Sequence, residues 1–176
     1  MKSWPHFTKK EINSVVKVLK SGKVNYLSGN EGNKFEKNFS KFIGCKYSIA
    51  VSNGTNALEL ALKAIDLKFG EEVIVPSKSF IASASCVVSL GGKPVFSDVE
   101  INSQNISLEY IKKIVTKKTK AVICVHIGGW PCDILKLNKF CKKYKIKLIE
   151  DCSQAHGAKV NNKYVGTFGD FGTWSF

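Results

Sequence analysis

From residue 47 onward, short apolar runs alternate with helical stretches, and few folds accommodate that alternation. The apolar runs fall at 47–51, 73–75, 94–96, 121–125 and 147–150, and helical periodicity falls at 56–65, 81–90, 108–115 and 134–144. Runs that are apolar throughout, rather than at every second residue, belong to strands covered on both faces. A helix between each pair of strands makes the connections crossovers, so neighbouring strands run parallel. The expected architecture is three-layer α/β, a mostly parallel sheet with helices on both faces.

Two amphipathic helices precede this pattern. Thr8 and Glu11 have capping-box spacing, Ile12, Val15, Val16 and Leu19 follow at helical intervals, and Gly22 ends the helix. A second helix is predicted over 31–43, with Phe35, Phe39 and Phe42 on one face and Gly44 at its end. The sequence thus divides into an N-terminal helical segment, 1–44, and an α/β domain, 45–176. Within that domain 159–165 predicts a small hairpin around Asn161-Asn162, and 172–176 a last short strand. Ending inside an apolar strand, with neither cap nor polar tail, is the expected mark of a fragment.

The formal charge of +13 raises the question of nucleic acid. All 27 basic residues are lysine. Arginine is the fork that reads phosphates and guanine edges, so a dedicated nucleic-acid reader without one is not expected. The lysines are dispersed over a solvated surface suited to attracting anionic small molecules. No run approaches the roughly 20 apolar residues of a membrane span, and the N-terminus has no secretory core. The six cysteines form no C-x-x-C pair, and several sit inside apolar runs. They are expected as reduced, buried core residues in a cytoplasmic setting.

In a parallel sheet, residues just past the carboxyl ends of strands face the ligand crevice. Ser52-Asn-Gly-Thr-Asn56 stands at such an end. Gly54 permits close approach, Thr55 offers a hydroxyl, and the amides of the helix that follows suit a phosphate; an ordinary capped turn fits equally. Phe80, at the next junction, is either a ring-stacking aromatic or core. Asp151 ends the run 147–150 with Gln154 three positions on. A carboxylate there can pair with a cationic ring nitrogen and the amide with a neighbouring ring oxygen, as a pyridoxal phosphate (PLP) site requires; a solvated strand end is the plain alternative. His126 and His156 are expected as satisfied structural histidines.

Taken in order, the phosphate turn, the aromatic, Asp-x-x-Gln and Gly172-Thr-Trp-Ser-Phe176 resemble the DegT/DnrJ/StrS sugar aminotransferases. Gly29-Asn-Glu-Gly-Asn-Lys-Phe-Glu36, Glu72-Val-Ile-Val-Pro-Ser77, Lys93-Pro-Val-Phe-Ser-Asp98 and Gly166-Thr-Phe-Gly-Asp170 extend the resemblance along nearly the whole chain. The resemblance implies the large domain of a fold-type I PLP enzyme, incomplete at its C-terminus and without the small domain. It implies that Gly54, Thr55, Asn56 and Ser175 hold the PLP phosphate, that Phe80 stacks on the ring, that Asp151 pairs with its nitrogen and that Gln154 bonds its 3-oxygen. The implied reaction converts a nucleotide-linked keto-sugar to an amino-sugar, with glutamate as donor, in a homodimer. The Schiff-base lysine is expected five positions past Ser175, beyond Phe176. Turnover by this chain alone is therefore expected to be lost or severely reduced; the alternatives are a non-catalytic PLP-binding remnant or, with a histidine at that position, a dehydratase.

Overall fold

A computed structural model describes residues 5–176, which divide into two compact units, one running to Ala50 and one from Val51 to Phe176. The first contains α1 (Lys9–Ser21) and α2 (Glu31–Ile43). The capping box forms as expected: Glu11 donates its amide to Thr8 Oγ1 at 3.3 Å, and its carboxylate takes the Thr8 amide. Gly22 and Gly44 end the two helices in the left-handed conformation.

The strand expected at 47–51 is not present. Its backbone donor at Ala50 is given to Glu36 Oε1 at 2.8 Å, and the Ser48 hydroxyl donates to the Glu36 carbonyl. Contacts to Glu36 thus stand in for a ladder. Alternating Tyr47, Ile49 and Val51 carry strand periodicity, but they are exposed.

The second unit contains a five-stranded sheet of β1 (Glu72–Pro76), β2 (Lys93–Ser97), β3 (Thr119–Val125), β4 (Lys147–Asp151) and β7 (Phe171–Thr173). Their order across the sheet is β2-β1-β3-β4-β7, with every pair parallel. A separate hairpin pairs β5 (Lys159–Val160) with β6 (Lys163–Tyr164), turning through Asn161 and Asn162 at positive φ. The last strand starts one residue earlier than expected and stops at Thr173, because Trp174 turns back over Gly166.

Helices cover both faces. α3 (Gly54–Ala64) and α4 (Ala82–Ser89) supply Leu58, Leu62 and Val87 to a core that includes Val73, Val75, Ile123 and Ile149. α5 (Leu108–Ile114) and α6 (Ile134–Tyr144) supply Ile111, Ile134 and Leu137 to a second core with Ile74, Val122, Cys124 and Leu148. Side chains alternate along a strand, so β4 sends Ile149 and Asp151 toward α3 and α4, and Leu148 and Glu150 toward α5 and α6. That division governs the site.

The thiols follow from the same packing. All six are free, five of them buried. Burial pushes Cys86 and Cys141 up to about 12 and Cys152 to about 11, whereas Cys124 and His126 beside Cys132 lower its thiol to about 6, and there 4% exposure alone keeps a reagent away. A raised thiol pKa means less thiolate at neutral pH, and thiolate is the reacting form. Titrating the native chain with a disulfide reagent at pH 8 should therefore give one fast thiol, Cys45, with the others appearing only on unfolding. Several fast thiols in the folded chain would contradict this packing.

Candidate functional site

The turn before α3 is built by its own polar residues. Asn53 is the N-cap, its Oδ1 accepting the Asn56 amide at 2.9 Å, and Asn56 Nδ2 donates to Ser52 Oγ at 2.6 Å. The Asn56 amide is thus already engaged, contrary to its expected availability to a phosphate; the first-turn donors without an intrahelical acceptor are those of Gly54 and Thr55. The cap is Asn53, a role signalled by its spacing of three from Asn56.

Gly54 is buried against the far end of the sheet. A Cβ placed on it would stand 3.0 Å from Ser175 Cβ, 3.2 Å from Ser153 Oγ and 3.4 Å from Ser175 Oγ. The absence of a side chain leaves two hydroxyls flanking the N-terminus of α3, where the helix dipole and open amides favour an anion. Sequence positions 54, 153 and 175 meet here because β4 and β7 are neighbours. Cys152 donates its amide to the Thr173 carbonyl at 2.8 Å, holding the chain ends that carry both serines side by side.

Ser153 links this cradle to the carboxylate. Its amide donates to Asp151 Oδ1 at 3.0 Å and its hydroxyl to the same oxygen at 2.7 Å. Asp151 is buried, only 6% exposed, on the face of the sheet that α3 and α4 cover. One carboxylate oxygen is thus fixed by Ser153. Ser153 is absent from the expected site, although Asp-x-Ser is the spacing of a local side-chain-to-backbone turn.

The other residues are placed as follows. Gln154 Oε1 accepts the Gly128 amide at 2.6 Å, so its carbonyl is committed to the turn after β3 and its Nε2 is the group left to donate outward. Phe80 precedes α4 at 70% exposure, leaving its ring open to a planar group. His126 is a satisfied structural residue, as expected: Nδ1 accepts the Cys132 amide at 3.0 Å and Nε2 lies 3.2 Å from Glu150 Oε2. His156 packs against Phe176 at 4.8 Å between ring centroids.

Anion donors and a buried carboxylate at the carboxyl end of a parallel sheet are the features of a small-molecule site on an α/β protein. Residues 5–176 match the model of the DegT/DnrJ/EryC1/StrS aminotransferase family, and the chain belongs to that family. It is 44% identical over 168 residues to the dTDP-3-amino-3,6-dideoxy-alpha-D-galactopyranose transaminase of Aneurinibacillus thermoaerophilus, covering 95% of this chain and 46% of that protein. It is 47% identical over 143 residues to the GDP-perosamine synthase of Vibrio cholerae, covering 81% of this chain and 39% of that protein. The crystal structure of the aminotransferase from Psychrobacter cryohalolentis superposes with a TM-score of 0.97 at 47% identity, over 99% of this chain and 44% of that one. The fold implied by the resemblance is the one found, and the chain spans under half the length of these relatives. Among the described residues, no helix is long and apolar enough to cross a membrane.

Proposed function

We propose that the second unit binds pyridoxal phosphate and is the cofactor-binding part of an aminotransferase that aminates a nucleotide-linked keto-sugar, with glutamate as donor. The observation that carries this reading is the bare Gly54 at a helix N-terminus, flanked by Ser153 and Ser175, with Ser153 reaching back to buried Asp151. One end of that arrangement suits a phosphate and the other a protonated ring nitrogen, the two polar ends of PLP. Bound there, PLP supplies an electron sink through which an amino group passes from donor to acceptor.

The chain's own groups have separable tasks. The Gly54 and Thr55 amides and the Ser175 hydroxyl hold the phosphate, with Asn56 bracing the turn rather than donating. Asp151, oriented by Ser153, keeps a proton on the ring nitrogen, and Phe80 covers the ring. Gln154 Nε2 donates toward the ring's 3-oxygen. A homodimer and a cytoplasmic setting belong to the same reading, the second supported by six free thiols and no disulfide.

Titration of PLP into the chain tests this. A saturable change in cofactor absorbance, competed by inorganic phosphate, is expected. No saturable change at millimolar PLP would sink the reading.

A further inference from the structure

Beside Asp151, on the opposite face of β4, lies a second carboxylate to which the cofactor reading gives no task. Glu150 is fully buried. Its Oε1 accepts the amides of Phe168 and Gly169, each at 2.7 Å, and its Oε2 accepts the Gly166 amide at 2.7 Å and faces His126 Nε2 at 3.2 Å. Because His126 Nδ1 accepts the Cys132 amide, the ring proton sits on Nε2 and is donated to Glu150. The ligand atoms of His126, Glu150 and Cys152 lie within 4.8 Å of one another. Four contacts fill the carboxylate's acceptor capacity, however, and both ring nitrogens are engaged, so only the Cys152 sulfur is left to a cation, too few ligands for a metal site.

A buried carboxylate is expensive unless fully hydrogen-bonded. Here three of its four partners are backbone amides of one turn, 166–169. That turn leads into β7, and just before the strand Asp170 donates its amide to the Leu148 carbonyl at 2.8 Å and accepts the Leu148 amide at 2.9 Å. Gly166 also lies directly under the Trp174 ring, one residue before Ser175. The turn held by Glu150 therefore sets the course of the chain that delivers Ser175 to Gly54.

We infer that Glu150, oriented by His126, is a positioning residue for the phosphate end of the crevice: it clamps the 166–169 turn and thereby places the Ser175 hydroxyl beside Gly54. This rests on the PLP reading and adds a residue that touches neither the cofactor nor the substrate. The two adjacent carboxylates of β4 then serve opposite ends of one ligand, Asp151 directly and Glu150 through the turn.

The test is Glu150→Gln in this chain, with PLP and its dephosphorylated form, pyridoxal, as paired probes. The amide keeps the shape but turns a donor toward amide donors, so the turn loosens. PLP affinity should fall about tenfold, the scale of a charged hydrogen bond lost, while pyridoxal affinity stays within about twofold. Hydrogen exchange at Gly166, Phe168 and Gly169 should accelerate, with β1 and β3 amides unchanged. Equal losses for both probes would reduce Glu150 to a general structural role and overturn the inference. So would faster exchange in the turn with unaltered PLP affinity. Should Glu150→Gln fail to fold, His126→Gln removes one contact and leaves the three amides; it should show a smaller loss confined to PLP, and an equal loss for both probes again overturns the inference. If the unsubstituted chain binds no PLP, the cofactor reading itself fails, an outcome distinct from binding that the substitutions leave unchanged.

Discussion

Replacing Asp151 with alanine should weaken PLP binding about 100-fold, equivalent to ~3 kcal/mol, while leaving the chain folded. The carboxylate is 6% exposed and has one oxygen fixed by both donors of Ser153. A charge held in one orientation and shielded from water interacts strongly with an opposite charge beside it. Alanine removes that partner and orphans two donors of Ser153, one of which can turn to solvent, so the fold should lose less than the ligand does. Asp151→Asn separates charge from shape: it keeps an oxygen for Ser153 but cannot hold a proton on the ring nitrogen. Its PLP affinity should lie between those of wild type and alanine, with the absorbance of bound cofactor shifted toward that of the unprotonated ring. Absorbance titration of the three proteins, with circular dichroism as a fold control, decides the matter. Unchanged PLP affinity in Asp151→Ala would remove the ring-nitrogen role and with it half of the proposed site.

The contrast between Asp151 and its neighbours shows what a sequence discloses about such a site. Periodicity is a local property, and where a segment's burial is settled by its own pattern the match is close: α2 and α6 occupy their expected spans, and β1, β3 and β4 differ by two residues or fewer at each end. Residues 47–51 carry a strand's alternation, yet strand formation depends on a partner, and a single distant carboxylate, Glu36, takes the Ala50 amide instead. The crevice residues are visible as residue types at strand ends. Their grouping is not, because Gly54 and Ser175 meet only through the pairing of β4 with β7. Glu150 is the instructive omission. Two consecutive carboxylates on a strand covered on both faces must point to opposite faces, so each needs its own buried partners. That signal lies in Glu150-Asp151 itself, although only the fold reveals that the partners are the 166–169 turn.

The same turn leaves Gly172 no room for a side chain, and Gly172→Ala should destabilise the chain by about 3 kcal/mol. Gly172 pairs with Glu150 across β4 and β7. A Cβ there would collide with the Gly166 carbonyl oxygen and stand 2.6 Å from Trp174 Cη2 and 2.7 Å from Gly166 Cα. Two of those three atoms are backbone, so no rotamer change relieves the clash. Relief requires the turn to lift off the sheet, and lifting it withdraws the amides that satisfy buried Glu150. The overpacking and the loosened carboxylate are therefore one event rather than two additive ones. For a chain of this size each kcal/mol moves the thermal midpoint by about 2–4 °C, so a fall of roughly 6–12 °C is expected. Gly44→Ala provides the contrast: its φ of 83° strains alanine, but nothing lies within 4 Å of the added carbon. That variant should lose only about 1 kcal/mol, the cost of the left-handed conformation alone. Equal midpoints for the two variants would mean that the turn yields freely to a methyl group, and it could then not be the rigid arm that sets Ser175 beside Gly54.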